Sequence, residues 1–102
     1  MTRMFSFFKP MKQISTQELK RQLTKKSQLI DVRTSSEFNS GHINGAINVP
    51  LNEIQRFKGK KDQPVYVVCQ SGMRSKQASN RLEKNGYKVI NVRGGMNQWK
   101  NN

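Results

Sequence analysis

An uninterrupted apolar run at residues 65–68, with the sequence VYVV, constrains the fold of this chain more than any other segment. Its residues are β-branched or aromatic, which is typical of a strand buried on both faces of a parallel sheet. Shorter apolar segments at residues 29–32, 46–49 and 89–92 predict three more strands. Helix signals separate these strands, so we expect an α/β fold: a mostly parallel sheet with helices on both faces.

Capping residues, glycines and prolines predict where the helices begin and end. Ser15 with Glu18 has the spacing of a capping box, and Ser36 is placed to cap a short helical turn. A longer helix is expected from about residue 75 to residue 85, and Gly86 follows it as a stop signal. The remaining helical signals are Pro50, the glycine pair Gly94-Gly95, and the apolar residues Met96 and Trp99 that follow this pair.

The length of 102 residues suits a single domain, which we expect at residues 12–102. Residues 1–11 are expected to form an N-terminal extension that is poorly ordered. No apolar run approaches the roughly 20 residues of a membrane span, so stable membrane insertion is not expected. The single cysteine, Cys69, excludes an intramolecular disulfide and favours a reducing cytoplasm as the location. One cysteine and one histidine cannot complete a tetrahedral zinc site, so no metal is expected.

The net charge of the chain is +13, from 19 basic and six acidic residues. Such a surface attracts anions of every size, from small oxyanions to acidic proteins and RNA. The charge therefore predicts an anionic partner, and an acidic protein is favoured over a nucleic acid, which is not excluded. One basic cluster is either a solvated turn or an edge for an acidic partner, and it comprises Arg56, Lys58, Lys60 and Lys61.

Cys69 ends the predicted central strand, and a helix is expected to begin near Ser75. Ligands of parallel sheets bind at this end of the strands. The amides of a tight loop that leads into a helix converge into an anion-binding nest, and Gly72 supplies the permissive backbone. Arg74 adds a positive charge near the sulfur. Amides and charge both favour the thiolate, so we expect Cys69 to be a nucleophile beside a pocket for an anion or a second sulfur.

The same loop also has a purely structural interpretation. A free cysteine is most often a small buried hydrophobe, and Arg74 would then be a solvated residue at a helix start. A cation at that position opposes the helix dipole, which favours the chemical role. Met73 is a candidate apolar contact for a substrate. Gln70 and Met73 are expected to be walls of the loop, and Ser71 and Ser75 are expected to donate hydrogen bonds into it.

Three separated motifs occur in order along the chain. They are IDVR at residues 30–33 with EF at 37–38 and GHINGAINVP at 41–50, then CQSGMRS at 69–75, then GGMNQW at 94–99. Together they resemble the N-terminal signature, the active-site loop and the C-terminal signature of the rhodanese-like, single-domain sulfurtransferases. This resemblance implies a five-stranded parallel sheet and a Cys69 that cycles through a persulfide without a metal or an organic cofactor.

The length of the loop discriminates among relatives of this family. Cys69 to Arg74 inclusive is six residues, the length that the resemblance associates with sulfurtransferases. Related phosphatases and arsenate reductases have one more residue and a wider cradle. We therefore expect a cytoplasmic sulfurtransferase that moves a sulfane sulfur from a small anionic donor such as thiosulfate, or from a low-molecular-weight persulfide, to a thiol or cyanide. The alternatives are a persulfide-carrying or regulatory module that serves an acidic protein or a tRNA-thiolation system, and a phosphatase or arsenate reductase.

Four polar residues outside the loop are candidates for supporting roles. Asp31, Arg33 and Glu37 are expected to form one buried network beneath the loop, because a lone acid in an apolar strand needs partners. Arg33 is alternatively placed to help receive an anionic donor. His42 is the single histidine, which invites comparison with a Cys–His catalytic pair. Its place in the GHI segment instead predicts a structural histidine held by loop hydrogen bonds.

Overall fold

Five strands form one sheet in the computed structural model, which describes residues 11–99. The strands are β1 (Gln13–Ile14), β2 (Gln28–Asp31), β3 (Ile47–Asn48), β4 (Pro64–Val68) and β5 (Lys88–Val92). The helices are α1 (Thr16–Gln22), α2 (Ser35–Asn39), α3 (Met73–Lys84) and α4 (Gly95–Trp99), with a 3₁₀ helix at Leu51–Arg56. None of these helices is long and apolar enough to cross a membrane. The prediction of a poorly ordered extension concerns residues that, apart from Met11, lie outside the described range.

The strand order is β1-β5-β4-β2-β3, and the pairings between these strands are all parallel. β4 is the central strand and pairs with both β2 and β5. This arrangement confirms the predicted α/β fold and the five-stranded parallel sheet. Because the strands run in one direction, the residues that follow β2, β4 and β5 meet at one edge of the sheet.

Helices cover both faces of the sheet, as predicted. Along β4, Val65 and Val67 face one layer of helices, and Tyr66 and Val68 face the other, as the pleat requires. The first layer contains α3 and the 3₁₀ helix, and its buried residues include Ile30, Val32, Ile54, Ala78, Leu82 and Val89. The second layer contains α1 and α4, and its buried residues include Leu19, Leu29, Ile43, Val92 and Met96. The apolar run that defined β4 is therefore buried from both sides.

The sequence analysis did not anticipate β1. This strand has two residues, Gln13 and Ile14, which pair with Asn91 and Val92 of β5. A strand of two residues shows no alternation of apolar and polar side chains. Only its pairing with a strand far along the chain defines it.

Two helix starts differ from their predicted positions. α2 is capped by Thr34 and not by Ser36, because the Thr34 hydroxyl accepts a hydrogen bond from the Glu37 amide at 3.2 Å. The Glu37 carboxylate in turn accepts one from the Thr34 amide at 2.9 Å, which completes a capping box. α3 begins at Met73, earlier than predicted, with Gly72 as its N-cap at φ +109°. Glycine tolerates this left-handed conformation, so the helix starts directly after the loop.

Candidate active site

Cys69 directly follows the central strand β4, at the edge of the sheet where β2 and β5 also end. Its side chain is 1% exposed. Only three residues separate it from Met73, the first residue of α3. The loop is therefore tight, and it brings the sulfur close to the N-terminus of a twelve-residue helix.

Polar groups of this loop surround the sulfur. The Gly72 amide donates a hydrogen bond to Cys69 Sγ at 3.0 Å. The Ser75 hydroxyl oxygen lies 3.4 Å from Sγ, and this hydroxyl donates to the Gly72 carbonyl at 3.1 Å. An amide donor and the positive end of a helix dipole both stabilise negative charge on the sulfur. The predicted amide cradle is thus represented by one direct contact, from Gly72.

Arg74 lies one residue inside α3 and pairs with Glu37 of α2. Its two terminal nitrogens donate to the two carboxylate oxygens of Glu37 at 2.7 and 3.0 Å. This pairing, and then the Thr34 amide, lowers the pKa of Glu37 to about 2. The same carboxylate raises the pKa of Arg74, and the charge of Cys69 adds a smaller contribution in the same direction. Arg74 is therefore a cation held in place by Glu37, and its charge acts on Cys69 more weakly than on this carboxylate.

Asp31, Arg33 and Glu37 were predicted to form one buried network, and this prediction is wrong for Glu37. Asp31 and Arg33 form a buried pair, with Arg33 Nη2 donating to Asp31 Oδ2 at 2.8 Å. Arg33 also donates to the side-chain oxygen of Gln70 at 3.2 Å, which connects the pair to the loop. Glu37 instead binds Thr34 and Arg74, because its place in the first turn of α2 directs it to these two partners.

His42 and the exposed loop residues lie around this centre. His42 is exposed, its Nδ1 lies 2.8 Å from the carbonyl oxygen of Phe38, and its ring stacks on the Phe38 ring at 3.7 Å between centroids. Both contacts are made within the domain, and the structural role of His42 stays a prediction. Met73 is 71% exposed and Ser71 is also exposed, so both face the solvent in front of the loop.

The first turn of α4 is part of the site, which sequence reasoning missed. The Met96 amide donates to the carbonyl oxygen of Cys69 at 2.8 Å, and the Asn97 amide donates to that of Gln70 at 3.0 Å. Gly95 permits this approach, because a Cβ atom there would lie 2.2 Å from the Cys69 carbonyl oxygen. The glycine pair Gly94-Gly95 was the available signal, and it was interpreted only as a signal for the start of a helix.

This arrangement presents one buried sulfur with an amide donor, a helix N-terminus and a nearby cation. Within residues 11–99, no three His, Cys, Asp or Glu side chains lie close enough together to hold a metal ion. The groups around the sulfur suit a nucleophilic thiolate, and a negatively charged adduct on it.

Known proteins resemble both the sequence and the fold. The Rhodanese-like domain family matches residues 15–102. YqhL of Bacillus subtilis is 45% identical over 78 residues, which are 74% of this chain and 62% of YqhL. Thiosulfate sulfurtransferase GlpE of Shewanella oneidensis is 35% identical over 86% of this chain and 91% of its own length. The crystal structure of a rhodanese-like domain protein from Staphylococcus aureus matches with a TM-score of 0.79 and 39% identity, over 87% of this chain and 91% of that one.

Some of these relatives are considerably longer than the matched segment. The chain spans 62% of YqhL and 40% of YrkF, a second Bacillus subtilis relative that is 36% identical over 70% of this chain. The match to the family nevertheless extends from the first helix past the last one. The chain belongs to the rhodanese-like domain family.

Proposed function

We propose that this domain is a sulfurtransferase that carries a sulfane sulfur as a persulfide on Cys69. The observation that supports it most directly is the Gly72 amide, 3.0 Å from Sγ at the start of α3. GlpE, which the chain matches over nearly its whole length, is named a thiosulfate sulfurtransferase. The reaction proposed for this chain therefore starts from thiosulfate or a low-molecular-weight persulfide.

Two displacements at sulfur account for the reaction. The Cys69 thiolate attacks the outer sulfur of thiosulfate, the S–S bond of thiosulfate breaks, and sulfite leaves with the bonding electron pair. The product is a Cys69 persulfide. A nucleophile such as cyanide then attacks the terminal sulfur, the persulfide S–S bond breaks, and Cys69 returns to the thiolate as thiocyanate leaves. Each step is a displacement at sulfur that needs no external oxidant or reductant. The proposed reaction therefore requires no metal or organic cofactor.

The surrounding residues take distinct roles in this proposal. The Gly72 amide and the N-terminus of α3 stabilise the thiolate and the persulfide, because both carry negative charge. Arg74, held by Glu37, stabilises the anionic donor and the leaving sulfite. Ser75 contacts Sγ, and the other loop residues Gln70, Ser71 and Met73 form the walls.

A second candidate function is a sulfur carrier that hands its persulfide to another protein with little turnover of its own. YrkF carries the words "sulfur carrier protein" in its name, which favours this candidate. The positive charge of +13 suits an acidic protein partner. Both candidates use the Cys69 persulfide and both suit a reducing compartment, where the one cysteine stays free.

Intact-protein mass spectrometry tests the proposal. We expect incubation with thiosulfate to add the mass of one sulfur atom to the protein, and cyanide to remove it. Cys69→Ser is the matched control, and it should gain no mass while keeping the fold, because oxygen is too weakly acidic to replace the thiolate. A wild-type protein that gains no sulfur from thiosulfate or from an organic persulfide would overturn the proposal. Repeated turnover distinguishes the enzyme from the carrier, which would load once and discharge slowly.

A further inference from the structure

A groove lies between α3 and the 3₁₀ helix, on the face of the domain away from α4. Its volume is about 520 Å³. Its lining includes Thr34, Leu51, Gln55, Arg74 and Arg81. Arg74 is the residue that pairs with Glu37 beside the active-site loop, so one end of the groove adjoins the site.

Two arginines set the charge of this groove. Arg74 and Arg81 are seven residues apart on α3, which places them on one face of the helix, two turns or about 10 Å apart. Glu37 holds the Arg74 guanidinium. The Arg81 side chain is exposed and forms no ion pair with a carboxylate of residues 11–99. Since no Asp or Glu belongs to the described lining, Arg81 gives the groove an uncompensated positive charge.

The floor of the groove is apolar, and its rim carries amides. Pro50 and Leu51 are half-buried, and Leu51 packs against the core layer that contains α3. Asn52 and Gln55 are exposed on the 3₁₀ helix, and each side chain can both donate and accept hydrogen bonds. This combination suits a stretch of polypeptide, whose backbone pairs with amides and whose side chains include apolar and acidic groups.

The two sides of the groove are held at a fixed spacing. Ile54 of the 3₁₀ helix and Ala78 and Leu82 of α3 are buried together in one core layer. Sides that are already packed need little ordering when a ligand binds, which lowers the cost of binding.

The lining favours an acidic protein segment over a nucleic acid. Proteins that bind single-stranded nucleic acids stack the bases on aromatic side chains. The part of the lining that the structure describes contains no aromatic side chain. The sequence analysis considered an acidic partner only at the cluster of Arg56, Lys58, Lys60 and Lys61. The groove offers such a partner a different surface, next to the active site.

We propose that this groove docks an extended acidic segment of a protein partner. A carboxylate of the segment pairs with Arg81 in a charge-assisted hydrogen bond, and its apolar side chains contact Pro50 and Leu51. A small donor such as thiosulfate needs only the end of the groove at Arg74. The role of docking, which is to hold a partner beside the Cys69 loop, rests on the proposed function, whereas docking itself does not.

Fluorescence anisotropy with a labelled synthetic peptide tests the docking. A peptide of about six residues that alternates glutamate and leucine extends over roughly 20 Å, enough to pass both arginines. Arg81→Gln and Lys76→Gln each remove one positive charge from α3, but Lys76 is exposed and absent from the lining. We expect Arg81→Gln to raise the Kd of this peptide about fivefold, and Lys76→Gln to change it less than about twofold.

Two further peptides separate the contributions of charge and apolar surface. Replacement of every glutamate by glutamine, or of every leucine by serine, should weaken binding to the wild type. No saturable binding of the acidic peptide to the wild type, or equal effects of Arg81→Gln and Lys76→Gln on its Kd, would overturn the proposal. Tighter binding of a single-stranded oligouridylate of the same net charge, with a larger loss in Arg81→Gln, would also overturn it in favour of a nucleic acid.

Sulfur transfer is measured separately on the same proteins. Thiosulfate-to-cyanide turnover should stay within about twofold of wild type in both variants, because a small donor does not extend to Arg81. A large loss of turnover in Arg81→Gln alone would contradict the assignment of Arg81 to docking. Failure of the wild type to load sulfur would overturn the proposed function, and the peptide Kd values would still decide whether the groove docks an acidic segment.

Discussion

At the scale of single residues, one carboxylate determines where the positive charge of the site lies. Glu37 serves two partners at once, since it caps α2 through Thr34 and holds both terminal nitrogens of Arg74. The side chain of Arg74 would otherwise sample many rotamers, and ordering it at the moment of reaction would be unfavourable. The pairing removes this disorder in advance and keeps the guanidinium beside the loop.

The low pKa of Glu37 makes the stability of the domain depend on pH. A carboxyl group whose pKa is lowered to about 2 in the folded state stabilises that state fully above its unfolded value of 4.5. This stabilisation disappears as the pH falls from 4.5 towards 2. Because 34% of the side chain is exposed, solvent screening limits the effect to about 1 kcal/mol.

We expect wild type to exceed Glu37→Gln in free energy of unfolding by about 1 kcal/mol at pH 6, and by roughly half of that or less at pH 3. Urea denaturation at several pH values measures both. Glu53→Gln provides a comparison, because Glu53 is exposed and its ion pair with Arg56 is loose, with 3.7 Å between the charged atoms. A gap between wild type and Glu37→Gln that stays constant with pH would contradict the assigned role of the pair.

At the scale of secondary-structure elements, α4 fixes the conformation of the loop. The Met96 and Asn97 amides in its first turn donate hydrogen bonds to the carbonyl oxygens of Cys69 and Gln70. With these carbonyls directed towards α4, the amide of Gly72 remains free to face the sulfur. This five-residue helix thus completes the site.

Substitution of Gly95 separates this contact from ordinary glycine strain. Gly95 has φ +56° and its added Cβ would meet the Cys69 carbonyl oxygen, whereas Gly45 has φ +89° and its added Cβ would meet nothing within 4 Å. We expect Gly45→Ala to cost about 1 kcal/mol of stability from backbone strain alone. Gly95→Ala should cost roughly 1–3 kcal/mol more from overpacking, and it alone should slow sulfur loading of Cys69. Thermal unfolding and the mass-spectrometric loading assay measure these effects, and equal losses in the two variants would refute the role of the contact.

The sequence predicted those elements whose signals are local. The strands β2 to β5 carry apolar runs, and the Gly72-containing loop carries its own turn chemistry. β1 and the contact between α4 and the loop escaped prediction, because both exist only through partners distant in sequence. The partner of Glu37 was mistaken for a similar reason. A neighbouring Asp31–Arg33 pair was nearer in sequence than Arg74, and nothing local indicates which arginine the helix would meet.

At the scale of the whole molecule, the basic cluster and the active site lie at opposite ends of the strands. Lys60 is anchored to Gln28 at the start of β2 by hydrogen bonds of 2.7 and 2.9 Å. Cys69 follows the end of β4, which is a strand of five residues. At about 3.3 Å per residue, the two ends are roughly 16 Å apart. This exceeds the distance of about 8 Å over which charges act through physiological salt.

We therefore expect the triple substitution of Lys58, Lys60 and Lys61 by glutamine to leave thiosulfate-to-cyanide turnover within about twofold of wild type. Binding of an acidic protein or an RNA to this cluster would behave differently, since it would weaken in the triple variant and fall steeply with added salt. Steady-state kinetics at low and physiological salt measure the first effect. A large loss of turnover at physiological salt would show that the cluster acts on the active site.

The hydrogen bonds between α4 and the loop also determine when the site is complete during protein synthesis. A chain leaves the ribosome from its N-terminus, so Cys69 emerges before Gly95, Met96 and Asn97. Within residues 11–99, β1 also emerges early and pairs only with β5. The thiol is thus present in a nascent chain before the residues that set its loop conformation have arrived. An incomplete chain lacks the contacts that set the conformation of the loop, so we expect the proposed sulfur chemistry at Cys69 only after the end of the domain has folded back onto its centre.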